Sequence, residues 1–363
     1  MNKQLTDKTF GQILANATDI TDTFEINLGG LPEDILQATN DAKPHLAVLR
    51  AEMEKCWLEP DADLSGVRYG LVDMAVWTEA HGKPVKQALT DGDVGAIDGT
   101  PVVPHQRYLT AQVYACAIGY LTSRTLMDLK ARLVKTQAPI GTVGTLEGLV
   151  DFISEAEILT GSRSWPGAFM EYLERERAKD CTSQYVVIDG PLVTQNLLTR
   201  RQGRDLLRDM LAGSSRKHYV GVIKNILRSS ADMRFYARAL RMGELYVHET
   251  VYGILEPRLD IYAGDVARFA REVGTDILRG VYKPGRKTFG FECHRNDLPV
   301  VVSLLWLDRN DQPGNEIPFL LAQVDAQLRG RYRPAETITA IEAMLAEHVG
   351  DELFDEMNER TLR

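Results

Sequence analysis

The order of apolar and polar residues along the chain is typical of an α/β protein, in which short apolar runs alternate with longer amphipathic stretches. The clearest apolar run is Tyr185–Asp189, whose four strand-forming residues lead into Asp189 and are followed by Gly-Pro. The same order occurs at Val94–Thr100, where an apolar run leads to Asp98 and then to Gly. We predict a buried strand with a carboxylate at its end in both places. For either one alone, the simpler alternative is an Asp-Gly tight turn.

Similar patterns predict the remaining elements. The stretch Tyr108–Thr122 fits both a helix and a strand, and its Gly, β-branched and aromatic content favours a strand that returns antiparallel to the first. Further strands are predicted at Tyr69–Val76, Tyr219–Ile223, Glu244–Glu249, Thr288–Cys293 and Val300–Leu307. Helices are predicted at Met127–Val134, Thr145–Leu159, Ala168–Lys179, Thr199–Leu211, Ile317–Leu328 and Ala335–Glu347. Loops are predicted at Ala80–Asp93 and Arg279–Lys287.

These elements predict three segments. Residues 1–65 form a mostly helical amino-terminal extension, residues 66–331 form an α/β domain, and residues 332–363 form a helical carboxy-terminal tail. The predicted fold class is therefore a mixed sheet flanked by helices, with helical extensions at both ends.

Composition changes this picture little, because 44% hydrophobic and 26% charged residues are close to the average of globular proteins. The 363 residues have room for one large domain or two ordinary ones. No uncharged apolar run reaches about 18 residues, and the amino terminus has no signal-peptide pattern, so we expect a cytoplasmic protein without membrane association. The four cysteines form no C-x-x-C pair, which argues against a zinc knuckle or a disulfide framework.

The formal net charge of −9 argues by itself against a polyanionic partner, but the charge is unevenly distributed. Between Thr199 and Arg241 the chain has eleven basic and three acidic residues. Within this basic block, Arg200, Arg204 and Arg208 form one stripe on a predicted helix, as a phosphate-binding surface requires. The alternative is a pair of solvated helices whose arginines meet acidic residues elsewhere.

Two glutamates precede Asp189 on a predicted helix. Glu171 and Glu174 stand three residues apart and share one helix face, so one of them reaches Asp189 if that face looks toward the end of the sheet. The alternative is a solvated surface of Glu and Arg side chains. Asp73 also follows an apolar run, but no Gly comes after it, and we leave it out of the candidate site.

Taken together, these motifs resemble the NurA family of DNA-repair nucleases. The resemblance rests on A-I-D-G-T at Ala96–Thr100, the glutamate-bearing helix, V-V-I-D-G-P-L at Val186–Leu192, V-G-V-I-K at Val220–Lys224 and I-P-F-L-L-A-Q-V-D at Ile317–Asp325. No single motif is specific for the family, but the order of the motifs and their combined content are more specific. The chain also departs from the family, because Thr100 replaces a Ser, Ile317 replaces a Tyr, and Asp325 replaces a metal-binding His.

The resemblance implies a ribonuclease-H-like α/β fold and two-metal hydrolysis of phosphodiester bonds. In this chain Asp98 and Asp189 would be the fixed ligands of Mn²⁺ or Mg²⁺. Glu171 is preferred to Glu174 as the helix ligand, because its distance from Asp189 suits the family better. Asp325 would complete the ligand set, since a carboxylate is as good an oxygen donor for these ions as the family residue it replaces.

The resemblance also implies a substrate and partners. Lys224 would meet a phosphate or the developing charge, and the stripe of Arg200, Arg204 and Arg208 would hold the DNA backbone without reading its sequence. Family nucleases work as homodimers with a hexameric ATPase of the HerA type, in DNA end processing or in defence against foreign DNA.

Two other functions stay open. The first is a catalytically degenerate subunit that only binds the ATPase or DNA, suggested by the replaced Tyr and His. The second is a single-strand binder that uses the basic block, which has few aromatic residues for base stacking.

Overall fold

The computed structural model describes residues 31–108, 111–137, 165–211, 217–226, 231–258, 264–310 and 316–349. The chain divides into two compact units, Met1–Val48 and Leu49–Arg363. The described part of the first unit is the beginning of one helix, and the second unit contains the sheet and all other elements. The predicted boundaries at 65/66 and 331/332 stay predictions.

The described strands form one sheet. They are β1 (Gly70–Asp73), β2 (Val94–Tyr108), β3 (Ala111–Thr122), β4 (Asp128–Gln137), β5 (Tyr185–Asp189), β6 (His218–Ile223), β7 (Glu244–Thr250), β8 (Ile277–Lys283) and β9 (Phe289–His294). The helices are α1 (Leu31–Glu54), α2 (Met74–Asp91), α3 (Trp165–Asp180), α4 (Gln195–Leu198), α5 (Arg201–Leu211), α6 (Ala231–Ala239), α7 (Val251–Leu255), α8 (Gly264–Glu272), α9 (Leu298–Leu307), α10 (Phe319–Arg331) and α11 (Pro334–Val349).

The order of the strands identifies the fold. It is β1-β7-β8-β9-β6-β5-β2-β3-β4, in which β2, β5 and β6 are mutually parallel and the other neighbours pair antiparallel. The segment β4-β3-β2-β5-β6 consists of a three-stranded antiparallel meander followed by two strands parallel to β2. This is the ribonuclease-H-like arrangement, extended here by four antiparallel strands, so the predicted fold class is confirmed.

Both faces of the sheet are covered by helices. One core contains residues of α2, α9 and α10 against the face that carries Val72, Val187 and Val222. On the opposite face, residues of α3, α4, α5 and α8 pack around Ile97 and Ile188. A smaller cluster on that face joins α6 and the end of α1 to the strands of the extension. No helix within the described ranges has the length and apolarity needed to cross a membrane.

Several elements differ from their prediction. Met127–Val134, predicted as a helix, belongs to strand β4, whose residues complete the edge of the sheet beside β3. Val300–Leu307, predicted as a strand, belongs to helix α9, because its apolar residues are buried against α2 and the sheet. The predicted loop Ala80–Asp93 is mostly helix, since α2 begins at Met74 directly after its N-cap residue Asp73.

Further corrections concern strands. The predicted loop Arg279–Lys287 begins as strand β8, which pairs with both β7 and β9. Strand β2 does not end at Asp98, because it continues beside β3 as far as Tyr108. Of the predicted strand Tyr69–Val76, only Gly70–Asp73 is a strand, because helix α2 begins at Met74. The remaining predicted strands and the helices beginning near Ala168, Thr199, Ile317 and Ala335 are present, while Thr145–Leu159 lies outside the described residues.

Candidate functional site

The two aspartates of the Asp-Gly motifs lie on neighbouring strands. Parallel strands β2 and β5 pair in register up to Ile97 opposite Ile188, and the next residue of each strand is the aspartate. Asp98 and Asp189 therefore lie side by side where the pairing of β2 with β5 ends. Asp98 is buried, whereas the side chain of Asp189 is 30% exposed.

Both aspartates are oriented by the glycine that follows them. In each case one carboxylate oxygen accepts a hydrogen bond from the backbone N–H of the next residue, at 2.8 Å from Gly99 and 3.0 Å from Gly190. The glycines are needed for different reasons. Gly190 has a φ of 79°, which favours glycine, whereas a Cβ at Gly99 would lie 2.6 Å from Oε1 of Glu174.

Lys224 lies between the aspartates, directly after strand β6. Its ammonium is 2.9 Å from Oδ2 of Asp98 and 3.2 Å from Oδ2 of Asp189. It is also 3.9 Å from Oδ1 of Asp325, on helix α10. The second oxygen of each Asp-Gly aspartate thus faces this single positive charge, and Asp325 closes the group from the helix side.

Helix α10 is held in place at its beginning by Asp308, the residue that ends α9. The Oδ2 atom of Asp308 accepts a hydrogen bond from the N–H of Leu320, and its backbone oxygen accepts one from the N–H of Phe319. Asp308 thereby replaces a side-chain cap that Pro318 cannot supply. Burial raises the pKa of Asp308 to about 7.

Of the two predicted glutamates on α3, the structure brings Glu174 closer to the aspartates. Glu174 is 4% exposed, contacts the backbone at Gly99, and forms an ion pair with Arg175. Glu171 accepts hydrogen bonds from Thr194 Oγ1 at 2.5 Å and from Asn196 Nδ2 at 3.0 Å. The sequence preference for Glu171 as the metal ligand stays a prediction, but its carboxylate is engaged by other side chains.

Two buried residues that the sequence reasoning missed hold the loop after Asp189. Arg175 is 1% exposed and donates a hydrogen bond to the carbonyl of Pro191. Glu292, fully buried on β9, accepts the N–H of Val193 at 3.0 Å and lies 3.6 Å from Arg279 Nε. A signal for Glu292 was present, because a charged residue in the middle of the apolar strand F-G-F-E-C-H requires a buried partner.

The group of carboxylates carries excess negative charge. Burial raises the pKa of Asp98 to about 8, Asp189 adds to the rise, and Lys224 opposes it. Burial also raises the pKa of Glu174 to about 7, against its ion pair with Arg175. Burial by itself would lower the pKa of Lys224, but the charges of Asp189 and Asp98 outweigh it and raise this pKa. Arg175 pairs with Glu174, and Arg329 lies 3.0 Å from Asp325, so together with Lys224 three cations face four carboxylates, and one formal negative charge remains uncompensated.

The predicted arginine stripe lies on α5 and the residues before it, and its members make contacts within the protein. Arg200 donates to the carbonyl of Asn196 at 2.6 Å, and Arg204 donates to the carbonyl of Leu198 at 2.8 Å. Arg208 lies 3.2 Å from Asp205 and 3.2 Å from Glu272. These contacts tie α4, α5 and α8 together. Phosphate binding by the three arginines stays a prediction.

The donor chemistry of the site suits a hard divalent cation. Asp98, Glu174, Asp189 and Asp325 offer only oxygen donors, and their four formal charges exceed those of Lys224, Arg175 and Arg329 by one. As the side chains stand, no three His, Cys, Asp or Glu residues of the described ranges are arranged to hold a metal ion. The residue types therefore fit Mn²⁺ or Mg²⁺, and the ammonium of Lys224 takes part of the charge compensation that such an ion would provide.

Comparisons with known proteins give distant similarities. No protein-family model and no curated protein matches the sequence. Among solved structures, the NurA nuclease from Sulfolobus solfataricus is 12% identical with a TM-score of 0.35, over 76% of this chain and 97% of that chain. A NurA bound to dAMP and manganese is 8% identical with a TM-score of 0.33, over 72% and 93%. The catalytic domain of human endonuclease V is 14% identical with a TM-score of 0.31, over 82% and 98%. TM-scores of this size carry no argument about function, which is therefore argued from the site.

Proposed function

We propose that this protein is a metal-dependent nuclease that hydrolyses DNA phosphodiester bonds. The observation that carries the proposal is the convergence of four carboxylates from four separate elements at one edge of a ribonuclease-H-like sheet. Asp98 comes from β2, Asp189 from β5, Glu174 from α3 and Asp325 from α10, with Lys224 among them. So many acids in one small volume repel one another unless a cation compensates them.

The residues of the chain would divide the work as follows. Asp98, Asp189 and Asp325, with Glu174 as the helix carboxylate, would hold Mn²⁺ or Mg²⁺. When bound, the ion supplies activation of water at neutral pH and positive charge at the leaving oxygen. Gly99 and Gly190 fix the orientation of the two aspartates through their N–H groups.

Lys224 has a separate role in the proposal. Its ammonium has three donors and is 24% exposed, so it can exchange a carboxylate contact for a phosphate oxygen of the substrate. It thereby places the scissile phosphate over the aspartates and compensates the charge that develops there. The finer proposals follow the sequence resemblance: a HerA-type hexameric ATPase as partner, a homodimer, and exonuclease action on DNA ends or endonuclease action on single strands.

Incubation of the purified protein with end-labelled linear and single-stranded DNA in Mn²⁺, Mg²⁺ or EDTA tests the function. We expect cleavage only with a metal ion. Asp189→Asn removes a ligand charge at constant size, so cleavage should fall by more than about 100-fold while DNA binding stays close to wild type. The matched control is Asp73→Asn, because Asp73 also ends a strand but serves as the N-cap of α2, and Asn keeps that cap.

Separate Glu171→Gln and Glu174→Gln variants assign the helix ligand. The contacts favour Glu174, so its variant should lose metal-dependent cleavage, and the Glu171 variant should lose only stability from the contacts with Thr194 and Asn196.

Cleavage by Asp189→Asn within a few-fold of wild type would contradict the proposal.

One observation favours a second candidate, a subunit that binds DNA or the ATPase without cutting. The ammonium of Lys224 already lies within hydrogen-bonding distance of both central aspartates. In this case no cleavage appears with any metal ion or with the ATPase, and an Asp98→Ala, Asp189→Ala double variant still forms the complex.

A further inference from the structure

Helix α6 lies at the edge of the sheet that carries the carboxylates. Strand β6 is antiparallel to β9, β9 to β8, and β8 to β7, so the end of β6 and the beginning of β7 lie at the same edge. Helix α6 connects these two ends. Its Met233 is fully buried in one cluster with Ile223, the residue directly before Lys224. Arg234, the next residue of the helix, is exposed and so lies on the protein surface, one residue from a side chain that packs at the end of β6.

The outer side of α6 is basic and contains an exposed aromatic ring. Arg234 and Arg238 are exposed and stand one helical turn apart, and Phe235 between them is 49% exposed. Within the ranges that the structure describes, neither arginine forms an ion pair or a hydrogen bond. This distinguishes them from Arg204 and Arg208 on α5, which are engaged with carbonyl and carboxylate groups.

The turn between β8 and β9 adds a third cation at the same edge. The hydroxyl of Thr288 donates to the carbonyl of Ala237 at 3.2 Å, which places this turn against α6. Arg286 in the turn is exposed and likewise makes no contact with a carboxylate in the described ranges. We call the surface formed by Arg234, Phe235, Arg238 and Arg286 the α6 surface.

We propose that the α6 surface binds the single-stranded DNA that enters or leaves the carboxylate site. This inference rests on the proposed function, since it assigns the path of that function's substrate. The arginines would contact successive phosphates, and Phe235 would stack on a base. A single strand is favoured over a duplex because a paired base does not offer its flat face to a side chain. Exposed guanidinium groups that have no ion pair among the described residues match a polyanion in charge.

Binding of a fluorescein-labelled oligo-dT strand in EDTA, measured by anisotropy over a salt series, tests the inference without cleavage. Arg234→Gln with Arg238→Gln should weaken binding about tenfold and reduce the slope of log affinity against log salt by about 1.4, or about 0.7 for each lost phosphate contact. Phe235→Ala should weaken binding about fivefold or more without changing the slope, and Phe235→Trp should retain affinity. A duplex of the same length should respond to the arginine variants but not to Phe235→Ala.

The matched control removes the same number of positive charges from α2, as Lys83→Gln with Lys86→Gln at two exposed lysines, and should bind oligo-dT like wild type. Unchanged affinity and slope in the α6 variants would overturn the inference, as would equal losses in both double variants. The outcome is separable from that of the proposed function. If the α6 variants bind DNA less well but the protein never cuts DNA, the inference stands and the proposed nuclease function fails. If the protein cuts DNA with a metal ion but the α6 variants bind DNA like wild type, the nuclease function stands and the inference fails.

Discussion

At the scale of single residues, the repeated Asp-Gly pattern identified two carboxylates that lie side by side, but it did not predict the backbone around them. Both aspartates accept a hydrogen bond from the following glycine, as a tight turn would provide. Yet only Gly190 has a positive φ, while Gly99 lies within a continuing strand and leaves room for Glu174. The sequence alone could not show that the two glycines are required for different reasons, because Glu174 approaches Gly99 only in the folded protein.

The choice between Glu171 and Glu174 likewise could not be made from the sequence. Helical spacing places both on one face, so periodicity gives them equal standing. The difference comes from Thr194 and Asn196, which follow strand β5 and engage Glu171. Asp325, in contrast, was placed near the other acids by its motif alone, and the structure puts it 3.9 Å from Lys224.

Asp308 gives a prediction for pH dependence. Its pKa is raised from the usual 3.8 to about 7 by burial, so between these values the folded protein retains a proton that the unfolded chain has lost. The free energy of unfolding should therefore fall as pH rises from about 4 to about 7, by about 1.4 kcal/mol per pH unit for this group, and then level off. Asp308→Asn removes this contribution and should be more stable relative to wild type at pH 8 than at pH 4.

Urea unfolding in EDTA across this pH range measures the difference. Asp61→Asn, at an exposed carboxylate, is the control and should follow the wild-type profile. A constant difference between Asp308→Asn and wild type at all pH values would show that Asp308 does not retain its proton on folding.

At the scale of elements, the wrong predictions were those in which burial overrode local pattern. The segment L-P-V-V-V-S-L-L-W-L of α9 has the β-branched content of a strand, but it is helical because it lies between α2 and the sheet with apolar neighbours all round. Strand β4 has the composition of a helix, with Leu, Lys, Ala and Arg among its residues. Its register with β3 is what defines it. Pairing between strands depends on residues outside the segment itself, so a short stretch of sequence does not predict it.

The loop after β5 depends on one glycine of the neighbouring strand. A Cβ at Gly221 would lie 2.6 Å from the carbonyl oxygen of Gly190 and 2.6 Å from the nitrogen of Leu192, both backbone atoms that cannot rotate away. We expect Gly221→Ala to destabilise the fold by about 1–3 kcal/mol and to reduce cleavage, because the loop that carries Asp189 must shift. Urea unfolding and the cleavage assay measure the two effects.

Gly330→Ala on α10 is the control for this substitution, since nothing lies within 4 Å of the added Cβ. It should stabilise the protein by up to about 1 kcal/mol, as Ala is the better helix former. If Gly221→Ala unfolds at the wild-type urea concentration, the loop does not rest on β6 as described.

At the scale of the whole molecule, the net charge of −9 is the sum over an acidic and a basic surface that lie at one edge of the sheet. The carboxylates gather where the pairing of β2 with β5 ends, and the arginines of the α6 surface, which have no ion pair within the described ranges, lie beside β6. Counting charges along the sequence located the basic block, but it did not show which arginines of the block are exposed. Arg204 and Arg208 on α5 contact the neighbouring helices α4 and α8, and only the packing of these helices reveals this.

The excess negative charge predicts that a metal ion stabilises the fold. Adding Mn²⁺ to the EDTA-treated protein should raise the free energy of unfolding, by about 2.7 kcal/mol at a concentration of 100 times the dissociation constant. The gain should largely disappear in Asp189→Asn, and it should persist in Asp73→Asn. Thermal unfolding over a Mn²⁺ titration checks it, and an equal rise in all three proteins would place the ion elsewhere.

The order of the strands in space has a consequence for synthesis of the chain. Edge strand β1 pairs with β7, and the central aspartates meet Asp325 only when α10 packs on β2, so the first and last parts of the domain must find each other. A nascent chain that has left the ribosome as far as β9 contains all nine described strands but lacks Asp325. The proposed hydrolysis therefore requires the chain through α10, and a fragment that ends before α10 should not cleave DNA.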